Sequence, residues 1–134
     1  MFIEYMGDYK NSEWYIKASD ELIKKYGDIP PPWIYGPNLH PYSIGWRMGG
    51  GETHIMILNE WLDQEVLNFD DCITYLRKYP APARWYQWII HFLWNVDAHE
   101  FEESDYIPYF EKLEKLGFKN TTDFVKDFDR DDLD

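Results

Sequence analysis

Between Trp85 and Val96 the chain reads WYQWIIHFLWNV, with apolar or aromatic side chains at nearly every position. A helix that is apolar around most of its circumference has no face to give to water, so other elements must surround it. The segment is also too short to cross a bilayer, which takes about 20 residues, and Gln87, His91 and Asn95 interrupt it. It therefore reads as the central helix of a folded domain, predicted over Ala83–Asp97 with Pro82 at its start, and no membrane is expected as a partner.

The elements to cover it are legible as amphipathic helices. Ser12–Tyr26 places Tyr15, Ala18, Leu22 and Tyr26 on one face, with Ile16 and Ile23 beside them, a cap at Ser12 and a stop at Gly27. Glu52–Glu65 carries Ile55, Leu58 and Leu62, flanked by Trp61. A further helix starts at Asn68 or Asp70, turns Ile73 and Leu76 inward and stops at Pro80. Tyr106–Leu116 lies between Asp105 and Gly117, and a short last helix begins at Thr121 or Thr122 and carries Phe124, Val125 and Phe128. Residues 2–6 are expected to form at most a short strand. The expected fold is all-α: one domain over residues 1–134, of about six helices.

One long interruption breaks this pattern. Residues 28–51 contain Pro30-Pro31-Pro32, Gly36-Pro37, His40-Pro41 and Gly49-Gly50-Gly51, and proline removes an amide donor and restricts the residue before it. An irregular segment is expected there, between the first and second helix.

Charge narrows the partners. Thirteen Lys and Arg against 25 Asp and Glu give a net charge of −12. That field repels phosphate backbones and favours basic partners or cations, so direct nucleic-acid binding is not expected without a bridging metal. The single Cys72 allows no internal disulfide, and the first eight residues lack the basic and apolar regions of a signal peptide. Both point to a reducing, cytoplasmic setting.

Four stretches carry candidate chemistry. In Trp46–His54, Arg47 and the three glycines can present donors to an anion. The phosphate-loop Lys-Ser/Thr pair is absent, however, and Glu52 stands where a phosphate would sit; the alternative is a sharp turn ahead of a helix. Glu52 and His54 would converge on a metal only if the chain were extended there. On the central helix, Gln87, His91 and Asn95 recur every four positions, and Arg84 and His99 extend the stripe. Such a line faces solvent, a polar cavity or a buried hydrogen-bond network. Asp97, His99 and Glu100, with His91, make a mixed oxygen and nitrogen set suited to a divalent cation, or a solvated loop. The candidate catalytic residues are His91, Asp97, Arg47 and Glu52; the candidate metal ligands are Glu52, His54, Asp97, His99 and Glu100. Asp127, Asp129 and Asp131 imitate the start of a calcium loop, but its glycine position holds Asp132. Residues 129–134 read instead as a frayed acidic tail.

Seven Trp, eleven Tyr and eight Phe exceed the needs of so small a core. Trp33, Tyr35, Tyr42 and Trp46 fall in or beside loops, where such rings suit an interface or self-association. The first functional expectation is an acidic interaction module for a basic protein, inhibitor-like or immunity-like, or for a second copy of itself. Its rival is a divalent-metal-dependent enzyme of nucleic-acid processing. A third is a small-ligand protein whose pocket is lined by Trp85, Trp88 and Trp94 around the Gln87-His91-Asn95 stripe. No cofactor is predicted; the divalent cation belongs to the rival alone.

Overall fold

The computed structural model describes residues 11–134, and every regular element among them is helical. The all-α expectation holds; the possible strand at residues 2–6 lies outside the described residues. Contacts gather into two compact units. The first takes the described residues through Pro37 together with Ile44–Leu67, and the second takes Asn38–Ser43 with Asn68–Asp134.

The first unit opens with α1, Glu13–Tyr26. Glu13 in its first turn and Lys24 and Lys25 in its last oppose the helix dipole at the correct ends. Gly27 ends it at φ 85°, a left-handed conformation that favours glycine, and returns its N–H to the Ile23 carbonyl at 2.7 Å. Ser12 stands at the cap, but its side chain makes no capping bond. Tyr15 and Ser19 are buried, whereas Ile16 and Ile23, expected beside the inner face, are exposed.

The segment 28–51 is less irregular than its prolines suggest. Pro32–Tyr35 forms a single helical turn, α2, with proline in its first turn, where a missing amide costs nothing. Ile44–Trp46 forms a 3-10 turn. Helix α3 runs Gly49–Glu65, three residues longer at its start than periodicity predicts. Its buried face is also rotated: Gly51, His54, Ile57 and Leu58 are buried, so of the expected Ile55–Leu58–Leu62 stripe Leu58 is inside while Ile55 and Leu62 are only half-buried.

The reason is Gly51. A Cβ at that position would lie 2.0 Å from the Gly45 carbonyl oxygen, so the helix approaches the Gly45 backbone on the only face thin enough to allow it. Gly51→Ala is expected to destabilise the protein by about 1–3 kcal/mol in denaturant unfolding, because backbone must move to make room. Gly50→Ala is expected to cost less, since the obstacle there is the end of the exposed Tyr35 side chain. A Gly51→Ala protein as stable as wild type would contradict this packing.

In the second unit, α4 spans Phe69–Lys78 behind a capping box. The Asp71 N–H donates to Asn68 Oδ1 at 2.8 Å, and the Asn68 N–H reaches back to Asp71. Cys72, Ile73, Tyr75 and Leu76 face inward. Burial, and then Asp71, push the Cys72 thiol above its ordinary pKa, which makes it a poor nucleophile.

A 3-10 turn at Ala83–Trp85 leads into α5, Tyr86–Trp94. Ile89 and Ile90 are completely buried, as a central helix requires. The helix stops three residues short of the predicted Asp97. Asn95 turns left-handed at φ 50° and donates its N–H to the His91 carbonyl, at 2.9 Å.

The turn Glu103–Tyr106 then feeds α6, Ile107–Lys115, which Gly117 closes at φ 98° with the Phe118 N–H on the Leu113 carbonyl. Thr121–Asp123 and α7, Phe124–Phe128, complete the unit. The acidic tail, expected to fray, has partners: Arg130 binds Asp127 and Asp132, and the Asp134 N–H donates to the Asn38 carbonyl at 2.9 Å.

Candidate functional site

The polar stripe of α5 faces a cleft. An open cavity of about 510 Å³ in the second unit is lined by Arg84, Gln87 and His91 from the stripe and by Trp85 and Trp88 between them. Tyr42, Phe101, Tyr106, Phe124 and Phe128 supply the remaining aromatic wall, and Glu102, Glu103 and Asp129 add carboxylates.

Each wall residue is positioned by its neighbours. Trp88 meets Trp85 edge-on at 6.3 Å and stacks on Phe92 at 5.3 Å. Phe101 packs on Tyr106 at 5.1 Å, and Phe128 lies between Phe124 and Tyr42, 5.2 Å from each. Tyr42 is oriented by His40, whose Nε2–H donates to the Phe128 carbonyl at 2.7 Å while Nδ1 accepts the Tyr42 N–H at 3.0 Å. Both ring nitrogens are engaged, which fixes the orientation of the His40 ring.

The electrostatics of the cleft are one-sided. Arg84 is only 6% exposed, and its Nη1 lies 3.2 Å from Asp127 Oδ2, while the same carboxylate accepts the Arg84 backbone N–H at 2.9 Å. The cationic wall residue is thereby neutralised. Glu102, Glu103 and Asp129 form no ion pair among the described residues.

His91 is locked as well. The Val96 carbonyl can only accept, so Nδ1–H donates to it at 2.8 Å; Nε2 then accepts the Tyr106 hydroxyl proton at 2.7 Å. Burial, followed by the neighbouring Tyr42 and Asp105, raises the Tyr106 pKa and keeps that hydroxyl protonated.

Other expected site residues fall elsewhere. Asn95 has become the cap of α5 and leaves the stripe. His99 and Glu100 are exposed on the turn Ala98–Glu100, where the His99 N–H donates to Asp97 Oδ1 at 2.9 Å. Trp94, expected in the pocket, packs instead on Tyr109 and Phe69, with the Lys112 ammonium 5.7 Å above its ring. Among the described residues no three His, Cys, Asp or Glu side chains gather to hold a metal ion. Gly49–Gly51 are helical rather than a loop around an anion, and Arg47 is exposed ahead of them while Glu52 lies in the first turn of α3. Of the interface aromatics, Trp33 is buried at 3% exposure and is unavailable to a partner, whereas Tyr35 and Tyr42 are exposed and Trp46 is half-buried.

In the first unit, His54 is a buried structural residue. Its Nε2–H donates to the Pro30 carbonyl at 2.8 Å and its ring stacks on Tyr35 at 4.9 Å. Burial lowers its pKa, opposed by the Pro30 bond. An unfolded chain protonates this histidine below about pH 6.5 while the folded one resists. Stability contributed here is therefore complete above that pH and lost as pH falls toward the lower folded value. The destabilisation caused by His54→Phe is expected to be larger at pH 8 than at pH 5.5 when melting temperatures of the two proteins are compared; an unchanged gap would contradict the assignment.

His40, Phe101, Tyr106 and Phe128 carry no sequence signal as a site, and Asp129 draws attention only as part of a calcium-loop imitation, because the fold brings these residues together from segments up to 88 residues apart. Comparison of the chain with protein-family models, with curated proteins and with solved structures found no match in any of the three.

Proposed function

We propose that this chain is a binding module for a basic protein partner, docked at the aromatic cleft of the second unit. The observation that carries this reading is the combination of an aromatic wall with three carboxylates that have no ion pair among the described residues, on a chain of net charge −12. Aromatic rings supply contact area at low entropic cost and dominate interface energetics. Rim carboxylates steer a positive partner toward them and select against acidic ones.

The test is affinity capture on the wild-type chain and on a variant carrying Glu102→Gln, Glu103→Gln and Asp129→Asn. Basic proteins retained by the wild type at low salt, and lost both at high salt and on the variant, support the reading. Retention that ignores the three substitutions overturns it.

A further inference from the structure

The cleft carries information about what it accepts, beyond the sign of the partner. The decisive group is Tyr106. Because Val96 fixes the His91 proton on Nδ1, His91 Nε2 takes the Tyr106 proton, and the Tyr106 oxygen has only lone pairs left to offer. The side-chain oxygen of Gln87 is in turn held 3.5 Å from the Tyr42 hydroxyl, which donates to it. The charged groups and the Tyr106 hydroxyl of the cleft thus divide into acceptors, rim carboxylates included, and one guanidinium already bound to Asp127. An anionic ligand meets unpaired carboxylates and a guanidinium already neutralised, whereas a donor-rich cation finds several acceptors between aromatic faces.

Resting on the reading of the cleft as the docking site for a basic partner, we infer that it seats an arginine side chain of that partner. A guanidinium is planar, carries five N–H donors and no acceptor, and is weakly hydrated. It can stack on an indole or phenyl face while donating at its edge. A lysine ammonium matches the charge but not the plane, and it is more strongly hydrated. Trp88 and Phe101 provide the faces, and Tyr106, Glu102 and Glu103 provide the acceptors.

Three capped peptides, alike except for a central arginine, lysine or citrulline among glycine and serine, separate the contributions. Citrulline keeps the shape of arginine and removes its charge. Binding to the full chain is followed by nuclear magnetic resonance titration of backbone and indole N–H signals. The arginine peptide is expected to bind about tenfold more tightly than the citrulline peptide, a factor within the range for a cation on an aromatic face, and more tightly than the lysine peptide. Glu102→Gln with Glu103→Gln should erase the arginine preference and leave the fold, read from the same spectra, unchanged. Equal binding of arginine and citrulline overturns the inference, and equal binding of arginine and lysine overturns the choice of guanidinium. In either case a basic protein captured in a rim-dependent way would still support the broader function. Capture that ignores the rim would remove that broader reading instead.

Discussion

Asp127→Ala is expected to destabilise the second unit by about 3–5 kcal/mol, the range for removing one partner of a buried ion pair. Arg84 is 6% exposed, and its guanidinium and backbone N–H both converge on this one carboxylate. Removing the carboxylate strands a positive charge in a wall where rehydration is incomplete, and it also releases Arg130, whose Nη1 lies 3.4 Å from Asp127 Oδ1. The exposed Arg130–Asp132 pair contributes little by comparison. Urea unfolding of Asp127→Ala beside Asp132→Ala checks the ranking: the first loses a large part of a small domain's stability, and the second stays close to wild type. The double substitution Arg84→Met with Asp127→Leu is expected to recover much of the loss, because it removes the buried charge together with its partner. A mild effect of Asp127→Ala would mean that this pair does not hold α7 to the start of α5.

Trp88→Ala is expected to weaken binding of the basic partner by about 2 kcal/mol or more, roughly thirtyfold, as removal of a central interface tryptophan does. Trp88 is half-buried, lies on the cleft between Arg84 and His91 in the polar stripe's path, and rests its other face on Phe92. It is therefore a rigid wall rather than a mobile surface ring. Trp14→Ala is the control. Trp14 belongs to α1 in the first unit, is 45% exposed and is not among the cleft-lining residues, so its loss removes an equally large ring without touching the cleft wall. The expected result is normal binding by Trp14→Ala and a large loss by Trp88→Ala, measured by calorimetry with both proteins shown to be folded by circular dichroism. Similar losses in the two variants would assign the effect to general destabilisation.

The all-α fold was legible wherever local chemistry decides structure. Gly27 and Gly117 end helices as their spacing implies, Asn68 caps α4, and Ile89 and Ile90 are buried as the apolar run demands. What periodicity missed depends on contacts distant in sequence. The face of α3 is rotated because Gly51 lies against the Gly45 backbone, which a stripe of large apolar residues cannot reveal. Pro32 starts a helical turn inside a proline run read as irregular, since a first-turn position needs no amide.

The stripe on α5 was the useful clue to the site. Arg84, Gln87 and His91 do line a cavity, but Asn95 and His99 do not, because the helix ends at Trp94. The other wall comes from segments 42, 101–106 and 124–129, whose convergence no spacing announces. His91 attracts attention as a base or ligand, yet its Nδ1–H is held by the Val96 carbonyl and its Nε2 by the Tyr106 hydroxyl. The interface aromatics divide in the same way: Tyr42 reaches the cleft wall, whereas Trp33 is buried.

The most direct measurement is the backbone amide titration of the full chain with an arginine-containing basic peptide at low salt, repeated at high salt. Docking at the acidic aromatic cleft predicts shifts concentrated at Tyr42, Arg84–His91, Phe101–Tyr106 and Phe124–Asp129, and their collapse as salt screens the rim. Shifts centred on other residues, or shifts at the cleft that salt leaves unchanged, would contradict it.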